Sequence, residues 1–177
     1  MKADFNSGIA ILLESNPDAR ERLDWVQGRF PRCESPLEKW FIIVFAFKTP
    51  ARNISYAGER PPEFAHEPAG KTVEVDISQQ VDVAGYRVDF LFTIQSTLNR
   101  DLRRLVAVEL DGHSFHDRTP AQASRDRARD RALLRHGVPT LRFTFEDFVK
   151  RPDESWWDLN CTLRVLAKEL NCQESAE

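Results

Sequence analysis

Cysteine is scarce in this chain of 177 residues, which carries only Cys33, Cys161 and Cys172. Their number is odd and no two form a CxxC spacing, which argues against both a disulfide framework and a cysteine zinc site. Long apolar runs are missing as well. Trp40 to Phe47 is apolar throughout but far shorter than the ~20 residues a membrane span needs. The short run Ile9 to Leu13 lacks a small-residue cleavage pattern, so no signal peptide is expected. The expected compartment is the cytosol, with no membrane partner. An excess of positive charge is also absent. The formal net charge is −3, whereas nucleic-acid binders usually show a basic face. Charge therefore has to be read locally. There are no internal repeats and no low-complexity tract.

What remains is the composition of a globular protein, 41% hydrophobic and 30% charged, which argues against disorder. The length suits one domain, residues 1–177, with a substantial core. Positive charge concentrates in Asn99–Arg104 and between Arg118 and Arg135. Either stretch can meet phosphate. The second, balanced by Asp126 and Asp130, reads equally well as a solvated helix face.

The chain is organised around residues 105–143. Leu105 to Asp111 is a short apolar run closed by Asp-Gly, which predicts a buried strand. Side chains alternate along a strand. Leu105, Ala107, Glu109 and Asp111 then share one face, with Val106, Val108 and Leu110 on the other. Two adjacent carboxylates on one face are costly to desolvate without a cation or hydrogen bonds. A third acid, Asp89, interrupts a second apolar strand, Tyr86 to Phe92. Hard divalent cations take carboxylate oxygens and keep water and substrate phosphates as further ligands, so acids on two strands suit one. Asp111 has a plainer reading too, since Asp-Gly is an ordinary turn signal.

Taken in order, Ser35-Pro36-Leu37-Glu38, Arg87-Val88-Asp89-Phe90, Val108-Glu109-Leu110-Asp111-Gly112, His116, Arg129-Asp130 with Leu133 and Gly137, and Leu141-Arg142-Phe143 resemble one family. It is the PD-(D/E)XK nuclease superfamily, in its very-short-patch-repair-like endonuclease branch. The resemblance spans residues 35–150. It implies an α/β fold of restriction-endonuclease-like type, a mixed central sheet flanked by helices in the order helix, three strands, helix, strand. Residues 1–30 add an N-terminal helical extension and 152–170 a C-terminal helix. It also implies a Mg²⁺-dependent endonuclease, with Mn²⁺ as a substitute, acting on DNA and with RNA as the other candidate substrate. Asp89 and Glu109 would hold the metal, assisted by Asp111 directly or through water. Glu38 would aim at the metal or a water ligand. His116 would donate to phosphate or shuttle a proton, although a histidine pair such as His113 and His116 in a turn is more often exposed. One departure stands out. The superfamily pattern has lysine two places after the glutamate, and this chain has Asp111, which leaves the source of the positive charge open. A nuclease fold kept as a nucleic-acid- or protein-binding module without catalysis is the second reading.

The remaining segments are read from local signals. Helices are expected over 4–15 and 18–28, separated by Asn16-Pro17. Ser35, Pro36 and Glu38 predict a capping box opening a helix to about Lys48. A long loop follows over 50–70. Strands are expected from Lys71 to Ser78, continued by Gln80–Val83, and from Tyr86 to Ile94 after an Ala84-Gly85 turn. A polar connection covers 95–104. Gln80 precedes Asp89 by nine residues across the expected hairpin, which brings it within reach of the site, although a solvated glutamine is the commoner case. A helix starts near Pro120, with Asp126, Asp130, Leu133 and Leu134 on one face at 100° per residue and Arg142 as partner to Asp130. Arg127, Arg131 and Arg135 form a separate row for DNA phosphates. The last strand is expected over Val138–Phe145, then a short turn over 146–151 and a helix over 152–170 that buries Trp156, Leu159, Leu163, Leu166 and Leu170.

Overall fold

The computed structural model describes residues 17–48, 73–112 and 119–174. The expected helix over 4–15, the loop over 50–70 and the turn with His113 and His116 lie outside the described residues. Within them the protein is a mixed α/β structure in which a four-stranded sheet is flanked by helices.

Helix α1 (Pro17–Arg29) leads through a 3₁₀ turn at Phe30–Arg32 into helix α2 (Pro36–Lys48). Ser35 Oγ accepts the Glu38 N–H at 3.2 Å, satisfying one of the orphan donors of the first turn. The second half of the expected capping box is placed differently. The Glu38 carboxylate accepts the N–H of Glu34, at 3.0 Å, rather than that of Ser35. Leu37, Phe41, Ile42, Val44, Phe45 and Ala46 are all buried, because a helix apolar on most of its circumference belongs inside.

Strands β1 (Val73–Val83), β2 (Tyr86–Ser96) and β3 (Arg103–Asp111) form an antiparallel meander, and β4 (Thr140–Thr144) lies parallel to β3. Ala84 and Gly85 join β1 to β2 with φ of +53° and +80°. Positive φ at both central residues defines the type I′ hairpin that matches strand twist. A parallel partner needs a crossover, supplied by α3 (Pro120–Arg135). Thr119 and Gln122 form a reciprocal capping box at its start. At its end Gly137 takes φ +74°, and Val138 and Gly137 donate to the carbonyls of Leu133 and Leu134 at 3.0 and 2.9 Å, a Schellman motif. Helices α4 (Phe145–Lys150) and α5 (Pro152–Glu174) close the chain. The order helix, three strands, helix, strand is thus observed for α2 through β4.

Two boundaries and one burial differ from expectation. Gln95, Arg103 and Arg104, read as connection, pair in the β2–β3 ladder, because ladder bonds use the backbone whatever the side chain. Phe145 opens α4 instead of ending β4, since Thr144 and Asp147 cap that helix reciprocally. Leu134 is 62% exposed although placed on the buried face, because the side of the helix turned to the sheet runs through Ala132 and Leu133. The terminal helix buries Leu159, Leu163 and Leu170, with Trp156 and Leu166 partly covered, as expected.

Apolar side chains gather on both faces of the sheet. The larger cluster joins α1, α2, α4 and α5 to Phe90, Phe92, Val106 and Val108. In it Phe41 stacks its ring 4.6 Å from Phe90 and 5.0 Å from Phe148. Val26 and Trp25 make α1 part of this core. The smaller cluster holds Val88, Ala107, Leu133 and Val138 beneath α3. Strand β1 changes sides along its length. Val73, Val75 and Ile77 pack in the first cluster, and Val81 and Val83 in the second. The same happens in β2 between Val88 and Phe90. These residues have one parity, so simple alternation would keep them on one face. The switch coincides with Gln80, whose φ of +53° turns the strand over. No helix among the described residues is long and apolar enough to cross a membrane.

Candidate active site

The point where β1 and β2 change faces is also where the chemistry collects. The β1–β2 register pairs Gln79 with Phe90 and Val81 with Val88, which sets Gln80 opposite Asp89. The β2–β3 register pairs Phe90 with Val108, which carried one step further sets Asp89 opposite Glu109. Glu109 in turn pairs with Arg142 of β4. Gln80, Asp89, Glu109 and Arg142 therefore form one row across the sheet. Glu38 reaches it from α2 and Arg129 from α3.

Glu38 is 4% exposed. Its Oε2 accepts both the Glu34 N–H and, at 2.9 Å, the Nε2 of Gln80. Gln80 accepts at Oε1 from Arg87 Nε at 2.7 Å, and Arg87 also pairs with Glu34 at the rim. Gln80 is hence a member of the site and not a solvated side chain. Its spacing from Asp89 across the hairpin was the one sign in the sequence; its backbone is left-handed, which a glutamine rarely adopts and which typically persists at functional sites.

Asp89 accepts the N–H of Leu110 at 2.8 Å. Its side chain thereby takes a donor of β3 where the main-chain ladder opens. Burial, with Glu38 and Asp111 nearby, holds its carboxyl above the usual range, against the Leu110 bond and the Arg129 charge. Glu109 is 5% exposed. Burial and then Asp89 push its carboxyl up to about 7, against the lowering charges of Arg129 and Arg142. Each acid so disfavours its neighbour's charged form.

Two arginines answer them. Arg129 donates from Nη2 to Glu109 Oε1 and to the carbonyl of Arg87. Arg142 grips Asp130 with Nη2 at 2.8 Å and Nε at 3.3 Å, the expected pair, and stands 3.7 Å from Asp111. These carboxylates, with Glu109, hold the Arg142 guanidinium above its ordinary range despite burial.

The sequence-predicted residues are thus largely brought together: Glu38, Asp89, Glu109 and Asp111 converge, while His116 lies outside the described residues. Arg127, Arg131 and Arg135 are exposed. At 100° per residue Arg127 and Arg131 lie about 160° around the helix from Arg129, so this row faces away from the acids. Among the described residues no group of three or more acids, histidines or cysteines is arranged to hold a metal ion. Asp111 faces Arg142. Asp89 and Glu109 still fit a hard cation, since Mg²⁺ is commonly held by one or two carboxylates, its other ligands being water and substrate phosphate. No family model, curated protein or solved structure matches this chain.

Proposed function

We propose that the protein is a divalent-cation-dependent endonuclease that hydrolyses phosphodiester bonds in DNA, with a restriction-endonuclease-like core. The observation that carries this reading is the Asp89–Glu109 juxtaposition, a half-buried and a buried acid on neighbouring strands, with the Glu109 carboxyl pushed up to about 7. Strongly perturbed acids at one locus are characteristic of functional sites. The element order and the ordered set of motifs support the same reading. Asp89 and Glu109 would hold Mg²⁺ or Mn²⁺. When bound, the cation would supply Lewis acidity to the phosphoryl oxygens and an activated water. Glu38, fixed by Gln80 and the Glu34 N–H, presents its remaining oxygen beside Asp89 to orient water. Leu110 N–H fixes Asp89, and Arg129 fixes Glu109. His116 is retained as a proton donor to the departing oxygen, and Asp111 acts with Arg142 as an outer support.

The test is cleavage of plasmid, single-stranded DNA and RNA with Mg²⁺ or Mn²⁺, with and without chelator. Chelator should stop cleavage, and Asp89→Asn and Glu109→Gln should each abolish it while the fold persists. Two variants that cut like the wild type would move the site elsewhere. Metal-independent binding with no cleavage of any form would favour the non-catalytic module.

A further inference from the structure

We propose that Arg129 is the phosphate-contacting cation of this site, a residue that holds Glu109 with Nη2 and meets a backbone phosphate of the nucleic acid with Nη1. The inference rests on the nucleic-acid reading above and deepens it. A phosphodiester approaching Glu38, Asp89, Glu109 and Asp111 meets four carboxylates, and needs positive charge in the same place. Two guanidinium groups stand there, and their bonding differs.

Arg142 is closed. Its Nε and Nη2 engage both oxygens of Asp130, the fork-to-fork geometry that arginine makes with a structural carboxylate partner. Asp111 lies on its other side. Arg129 is built otherwise. Both its described bonds leave from a single nitrogen, Nη2, toward Glu109 and the Arg87 carbonyl. Its Nε is buried without a partner among the described residues. A guanidinium has five N–H donors, and a buried one left unmatched is costly. A residue serving only to clamp β2 to β3 would be expected to use the fork, as Arg142 does. Its side chain also retains 22% of its exposure, against 7% for the Glu109 it touches, so part of it borders solvent. It lies on the face of α3 opposite Arg127 and Arg131.

Binding of a short DNA duplex, measured in chelator over a range of monovalent salt, separates contact from clamp. Each phosphate contact contributes about 0.9 to the log–log slope of affinity against salt on duplex DNA. Arg129→Gln should flatten the slope by that amount and weaken binding by about tenfold, as the loss of one charge-assisted hydrogen bond requires. Arg129→Lys should restore the slope, because the charge returns. With metal added, Arg129→Gln should also cut about 10²-fold more slowly at saturating DNA. An unchanged slope and affinity in a folded Arg129→Gln overturns the proposal and leaves a strand clamp. If Arg129→Gln alone unfolds, Glu109→Gln is compared with the double variant, which leaves no unpaired buried charge; equal slopes there overturn the proposal equally. A slope difference in a protein that cuts no nucleic acid would sustain the phosphate contact and end the hydrolytic reading. Absence of DNA binding by the wild type ends both.

Discussion

At the scale of the residue, the acids have separable signatures. Glu109 binds its proton more tightly in the folded chain, near 7, than in the unfolded chain, near 4.5. Between those values the folded state holds more protons than the unfolded one, so stability falls as pH rises through the window. The penalty is absent below the lower value and complete above the upper. Glu109→Gln removes it. In chelator, the melting temperature of this variant should gain on that of the wild type from about pH 5 to about pH 8. Parallel curves would mean that Glu109 is not desolvated among acids. Gln80 and Glu38 have a different signature. Asn tolerates a left-handed backbone but is one methylene too short to hold Glu38. Gln80→Asn should stay within about 1 kcal/mol of wild-type stability, and Glu38→Gln, which can still accept from Glu34 N–H, should melt like the wild type. Both should lose about 10- to 100-fold in metal-dependent cleavage, the usual effect of disturbing a supporting residue at a metal site. Full activity in Glu38→Gln would return that residue to a capping role.

The elements show what could be read in advance. Strand β3 declared itself because its parity is unbroken: Val106, Val108 and Leu110 face one cluster, Leu105 and Ala107 the other. Helix α2 and the hairpin at Ala84-Gly85 were likewise legible, since caps and turn residues are local chemistry. The turning-over of β1 at Gln80 was not. Val73, Val75, Ile77, Val81 and Val83 keep one parity, and nothing in their spacing signals that the strand changes sides. That is why spacing alone leaves Gln80 between the site and solvent, while Asp89 needs only to be an acid in an apolar strand to be noticed. Nor could spacing foresee that Arg129, in the midst of a charged helix, is the one turned to Glu109. The helix itself offers the next prediction. Arg127, Arg131 and Arg135 lie away from the acids, so Gln at all three should leave the cleavage rate at saturating DNA unchanged. If the row meets flanking phosphates, as the reading of its sequence has it, affinity should fall and the salt slope should drop by about 0.9 per contact. An unchanged slope would assign the row to solvent.

At the scale of the whole molecule, the candidate site sits where two cores meet. Glu38 is carried by a helix anchored in the large aromatic cluster, and Arg129 by a helix anchored through Leu133 in the small one. Asp89 lies in the strand between them, at the point where its neighbours Val88 and Phe90 pack to opposite sides. A cation held by Asp89 and Glu109 needs both cores formed, so its binding should protect against global unfolding and not merely steady a local loop. Stabilisation by a ligand of the folded state is about 2.7 kcal/mol at a hundredfold excess over its dissociation constant. Mg²⁺ or Mn²⁺ should accordingly raise the melting temperature of the wild type at neutral pH, and leave Asp89→Asn unmoved. Phe41 supplies the control. It lies one turn beyond Glu38 on α2 and touches Phe90 and Phe148. Phe41→Ala should cost about 3–5 kcal/mol through lost burial and the cavity left behind. The metal increment, read as the difference with and without cation, should survive that loss, because the acids lie outside the ring cluster. An increment that vanished with Phe41 would mean that the aromatic core sets the geometry of the acids; one equally large in Asp89→Asn would place the cation elsewhere on the protein.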